Sequence, residues 1–65
     1  MRYFYFIFEG HSAMKGRRCE NNELNFNTWR GVLTNRGGLL VDTPDMYLGI
    51  SSEYGLIVFW REKEK

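Results

Sequence analysis

His11, Ser12 and Cys19 are the side chains in this sequence best able to attack a substrate or activate a nucleophile, and they fall within nine positions of one another. Nucleophilic catalysis also needs a third group to orient the base and a pair of donors to polarise the substrate. No residue spacing signals either one. We therefore read His11 as a loop histidine and Cys19 as a half-buried structural thiol, and expect no enzyme. A metal centre is equally unsupported. His11, Cys19, Asp42, Asp45 and the scattered glutamates supply too few soft ligands for a zinc site, and Asp42-Thr43-Pro44-Asp45 lacks the length and the glycine of a calcium loop. It reads as a solvated turn, with proline presetting φ and the aspartates free to bond the local backbone. Glycines at 10, 16, 31, 37, 38, 49 and 55 match neither phosphate-cradling pattern. No cofactor and no metal are expected.

What remains is binding chemistry. Lys15-Gly16-Arg17-Arg18 places three cations in four positions, and guanidinium groups pair in bidentate fashion with carboxylates and phosphates alike. As a flexible loop it would be an electrostatic docking point, although such runs are more often solvated turns. The second candidate is aromatic. Tyr3 and Tyr5 share one face of an opening strand, with Trp60 as a possible extension of that face and Trp29 as a further apolar anchor. Rings beside basic residues can stack bases, but the basic-glycine-aromatic signature of that use is missing from residues 2 to 9. Tyrosine and tryptophan are also enriched at protein interfaces, and homodimerisation is the preferred reading of the Tyr3/Tyr5 face.

These side chains must be positioned by one small domain. A chain of 65 residues hides only about 60% of the surface its unfolded form exposes, so it relies on large side chains, and here 17% of residues are aromatic. A single cysteine makes no intramolecular disulfide, which suits a reducing, cytoplasmic setting. The apolar run Tyr3–Phe8 is too short for a spanning helix and is followed by Glu9 without a cleavage pattern, so no membrane segment is expected. Net charge is +1, with an excess of three positive charges up to residue 36 and two negative charges after it. That split fits a protein that meets another protein through complementary patches better than a general DNA binder.

Residues 2 to 9 are β-formers, apolar on both parities: Phe4, Phe6 and Phe8 on one side, Tyr3, Tyr5 and Ile7 on the other. With two hydroxyls on the odd side, the phenylalanine side is expected to face the core. Tyr47–Ser51 and Gly55–Arg61, joined across Ser52-Glu53-Tyr54, read as a hairpin, and residues 61–65 as a charged, fraying tail. From Leu24 to Leu33 the residues Phe26, Trp29, Val32 and Leu33 fall on one helical stripe. Asn22 or Asn25 could cap its start, and Arg36-Gly37 fits its end. Leu39-Leu40-Val41 makes a short strand. The expected fold is α+β, a small antiparallel sheet of three to five strands with one short helix on the phenylalanine face; an all-β meander or small barrel is the alternative.

This layout, an aromatic opening strand, a basic glycine-containing loop, a central helix and a closing strand with a charged tail, resembles small open reading frames of phages and prophages. The resemblance carries no specific residue. It implies a host-directed binder or inhibitor, such as an antagonist of a defence system. The functional expectation is therefore a small non-enzymatic module that binds a host or cellular protein through Lys15, Arg17, Arg18, Tyr3, Tyr5, Trp29 and Trp60. Nucleic-acid or nucleotide binding by the same groups is the alternative.

Overall fold

The computed structural model describes residues 1–8 and 16–63. The elements follow in the order β1 (Arg2–Phe8), β2 (Gly16–Asn21), α1 (Glu23–Asn35), β3 (Leu39–Asp42), β4 (Met46–Ser51) and β5 (Gly55–Glu62). The strands form one antiparallel sheet in the order β2-β1-β5-β4-β3. The first and last strands thus lie side by side within the sheet, and α1 carries the chain from one edge to the other.

Local chemistry sets both ends of the helix. The Asn22 side chain accepts a hydrogen bond from the Asn25 N–H at 2.8 Å, which satisfies an otherwise orphaned donor of the first turn. At the far end Gly37 adopts φ +72°, a conformation that costs glycine little. The Gly37 N–H then donates to the Thr34 carbonyl and the Gly38 N–H to the Leu33 carbonyl, at 3.1 and 2.9 Å, which closes the helix in a Schellman motif. This helix stop removes the all-β alternative. The Gly38 carbonyl next accepts from the Ile50 N–H at 2.9 Å, so the helix end leads directly into the edge pairing of β3 with β4.

The helix lies on the side opposite to the one the sequence suggests. Phe26 and Leu33 of α1 are buried with Tyr47, Ile57 and Phe59, and Tyr3, Tyr5, Ile7, Trp29 and Leu39 pack around them. The odd parity of β1, not the phenylalanine parity, faces the core. Gly49 supplies a physical reason. A Cβ at that position would lie 2.7 Å from Leu33 Cδ1, so a bare backbone there lets the helix settle onto the sheet. On the opposite face the flanking residues of β4, Leu48 and Ile50, present full side chains. The Tyr47 hydroxyl does not oppose burial because it donates to the Phe26 carbonyl at 2.6 Å, satisfying a polar group that would otherwise be stranded in the core.

Two further corrections concern the basic run and the tail. Gly16, Arg17 and Arg18 belong to β2 and are paired with Phe8, Ile7 and Phe6. They are strand, not a flexible loop; Lys15 lies outside the described residues, as do His11 and Ser12. At the C-terminus β5 continues through Arg61 and Glu62, which pair with Tyr3 and Arg2, so the first part of the expected fraying tail is sheet.

Candidate binding surfaces

On the helix side, α1 and the strands leave a cleft of about 170 Å³ lined by Tyr5, Ile7, Arg17, Asn25, Trp29, Tyr54, Ile57 and Phe59. Each wall has its own source. β1 and β5 run antiparallel with Tyr5 opposite Phe59 and Ile7 opposite Ile57, which makes an apolar floor. Asn25 and Trp29, one helical turn apart, form the roof. Trp29 lies against Phe59 at 5.9 Å with 26° between ring planes, and meets Tyr54 edge-on at the same separation. Tyr54 is placed by its turn: the buried Ser51 hydroxyl accepts from the Glu53 and Tyr54 amides at 3.1 and 3.4 Å, and Gly55 takes φ +74°. Arg17, exposed on the edge strand and opposite Ile7, brings a cation to the rim.

Next to the cleft, Cys19 stands opposite Tyr5. Its thiol and, after it, burial hold the Tyr5 phenol above its ordinary pKa. The phenol is therefore a protonated donor at neutral pH rather than a base.

Among the described residues, no helix lies on the other side of the sheet. Phe6 and Phe8 touch edge-to-face with ring centroids at 4.9 Å, and the ladder places Val58 and Leu48 beside Phe6, with Leu56 and Ile50 following on. Ile50 is 53% exposed. One corner of this face is closed by charged groups. Phe4, only 2% exposed, stacks on Trp60 at 5.6 Å and lies beneath the guanidinium of Arg18 at 4.2 Å and that of Arg2 at 5.0 Å. Arg2 pairs with Glu20 at 2.9 Å and Arg18 with Glu62 at 4.0 Å, while the Trp60 indole N–H donates to Glu62 at 2.8 Å.

The residues singled out from sequence are thus divided between two surfaces. Tyr5, Arg17 and Trp29 meet in the cleft. Tyr3 is on the same side but packs against Phe26 with ring centroids at 5.3 Å, so it is part of the core margin and no open platform. Trp60 does not extend the tyrosine face; its pairing with Phe4 puts it on the opposite one, together with Arg18. Alternation along β2 separates Arg17 from Arg18, because successive side chains of a strand point to opposite faces. Asn25 and Tyr54 were legible in the sequence only as a possible helix cap and a turn residue, and the cleft gives both a second role. Tyr54 sits in a hairpin turn, and only the fold brings that turn beneath Trp29.

The aspartates of the turn before β4 are occupied by arginines. Asp42 lies 3.1 Å from Arg30, and Asp45 lies 3.0 Å from Arg61. Arg30 also donates to the Thr43 carbonyl at 2.8 Å, tying the helix to that turn. Among the described residues, no group of three or more metal-ligating side chains gathers in one place, and no helix is long and apolar enough to cross a membrane. Comparison with protein-family models, curated proteins and solved structures finds no match to this chain.

Proposed function

We propose that this chain is a small non-enzymatic protein-binding module, and that its cleft holds one anchoring side chain of a cellular partner. The observation that carries this reading is the convergence of Tyr5, Arg17, Trp29 and Tyr54 around a single recess. Tyrosine, tryptophan and arginine dominate interface energetics because they bury large areas and still satisfy polar groups. A dry cavity of roughly 150 Å³ is enough to hold a benzene molecule, so this recess has the capacity for one aromatic or branched side chain. Arg17 at the rim adds a preference for an aspartate or glutamate next to that anchor, through charge-assisted hydrogen bonds. A module that works in this way acts by occupying a surface of a larger protein. That mode of action agrees with the inhibitor role implied by the phage-like layout.

Selection of random peptides on the immobilised protein tests the reading. Enriched peptides should share an aromatic or branched residue next to an acidic one. Arg17→Glu and Tyr54→Ala, both at exposed positions, should each weaken binding by about 10-fold or more. Enriched sequences without that pairing, or affinities indifferent to both substitutions, would overturn it. Binding of oligonucleotides that weakens steeply with salt would instead favour the nucleic-acid alternative.

A further inference from the structure

The sheet face that no described element covers is a second surface, separate from the cleft, and three observations bear on what covers it. The first is its charge. The charged side chains it carries among the described residues are Arg2, Arg18, Glu20 and Glu62, two of each sign and already paired with one another. Such a face offers no unbalanced field to a nucleic acid or to a strongly charged protein. It is compatible with its own copy, which is equally neutral and can exchange arginine-glutamate partners across a two-fold axis.

The second observation concerns the edges, the usual alternative route to self-association. β2 is an edge strand that carries Arg17, Arg18 and Glu20 in succession around Cys19. β3, the other edge, is only four residues long, with an irregular register between Leu39 and Val41. Charge on one edge, and shortness with a bulge on the other, both discourage strand addition. The third is area. Five strands spaced about 4.8 Å apart, the longest extending roughly 26 Å, cover on the order of 500 Å² in flat projection before side-chain relief is added. A standard interface takes about 800 Å² of accessible surface from each partner. The face is thus of the size a stable pair uses, and apart from the charged corner it is apolar.

We infer that two copies of this chain pack these faces together, forming a four-layer particle in which two sheets enclose Phe6, Phe8, Leu48, Ile50, Leu56 and Val58. Aligned sheet packing, about 10 Å apart and rotated by roughly 30°, is the ordinary geometry for such faces. The clefts then open on the two outer sides, so pairing leaves both free.

Sedimentation equilibrium on the full chain tests the inference. The wild-type protein should be dimeric at micromolar concentration. Val41→Lys/Ile50→Lys changes two exposed side chains of this face and should weaken association by about 100-fold or more, with the circular dichroism of the monomer unchanged. Leu24→Lys, on the exposed flank of α1, should leave the dimer intact. In a Trp29→Phe background the emission of Trp60 should move to shorter wavelength as concentration rises. A protein still monomeric at about 1 mM would overturn the inference and leave the face to another occupant. A dimer indifferent to both lysines would also overturn it by placing the contact elsewhere. Neither result bears on the peptide selection, because the cleft and this face share no residue.

Discussion

The two faces of the sheet are built from the same strands and are almost equally rich in aromatic residues, yet among the described residues only one of them carries a helix. The helix side has a floor of Tyr5, Ile7, Ile57 and Phe59, a bare backbone at Gly49 where Leu33 descends, and a carbonyl at Phe26 that receives the Tyr47 hydroxyl. The opposite side has Phe4, Phe6, Val58 and Trp60, and its lid is two guanidinium groups over one ring. The difference teaches that apolar content alone does not choose the core. What chooses it is where a second layer can approach closely and where buried polar atoms can be satisfied.

Substitutions that affect the two faces unequally would break or sharpen this comparison. The largest effect is expected at Phe59, which is 1% exposed and stacked on Tyr47 at 4.7 Å. Phe59→Ala should cost about 3–5 kcal/mol in urea denaturation, against less than half of that for Phe6→Ala on the half-buried open face. Equal losses would show that the two faces contribute equally to stability. Gly49→Val should come next, at roughly 1–3 kcal/mol, because the added side chain collides with Leu33. Ala at Gly31, where an added Cβ meets nothing within 4 Å, should instead stabilise the helix by about 1 kcal/mol.

Tyr47→Phe removes the buried bond to Phe26 and should cost about 1 kcal/mol near neutral pH. Its pH dependence offers a sharper test. Burial raises the Tyr47 phenol above its ordinary value of 10.0, so the folded state holds that proton more tightly than the unfolded chain does. The resulting stability is fully present below pH 10 and is lost as pH rises from there towards the folded value. Thermal melts between pH 8 and 11 should show a decline on the alkaline side that is shallower in Tyr47→Phe. The smallest effect belongs to Arg18. Its side chain is 57% exposed, and Arg18→Ala should cost on the order of 0.5–1 kcal/mol through the lost contact over Phe4; a larger loss would mean that the guanidinium lid matters as much as the helix.

Much of the fold was legible in the sequence because it rests on neighbours in the chain. Asn22 as a cap, Arg36-Gly37 as a helix stop, the hairpin through Ser52-Glu53-Tyr54 and the short strand at Leu39-Leu40-Val41 each depend on a few adjacent residues. The binding surfaces were legible only in part. Tyr5, Arg17 and Trp29 were named without their meeting place, because that place is formed by α1 crossing strands distant in sequence. Lys15-Gly16-Arg17-Arg18 looked like a single basic cluster because glycine and charge usually mark loops. Pairing of its last three residues with β1 made strand of them and sent the two arginines to opposite faces.

By itself, then, the sequence determined the elements: β-branched and aromatic runs that must pair, one amphipathic stripe with its caps, and turns with the residues they demand. It also showed that β1 is apolar on both parities, which means that both of its faces seek cover. Tertiary structure alone decided which face receives the helix. That choice depends on the register that sets Tyr5 opposite Phe59 and on Gly49 lying beneath Leu33, both of which are relations between segments far apart in the chain. Local propensity is blind to them, because every residue of β1 would form the same strand whichever way the sheet were turned.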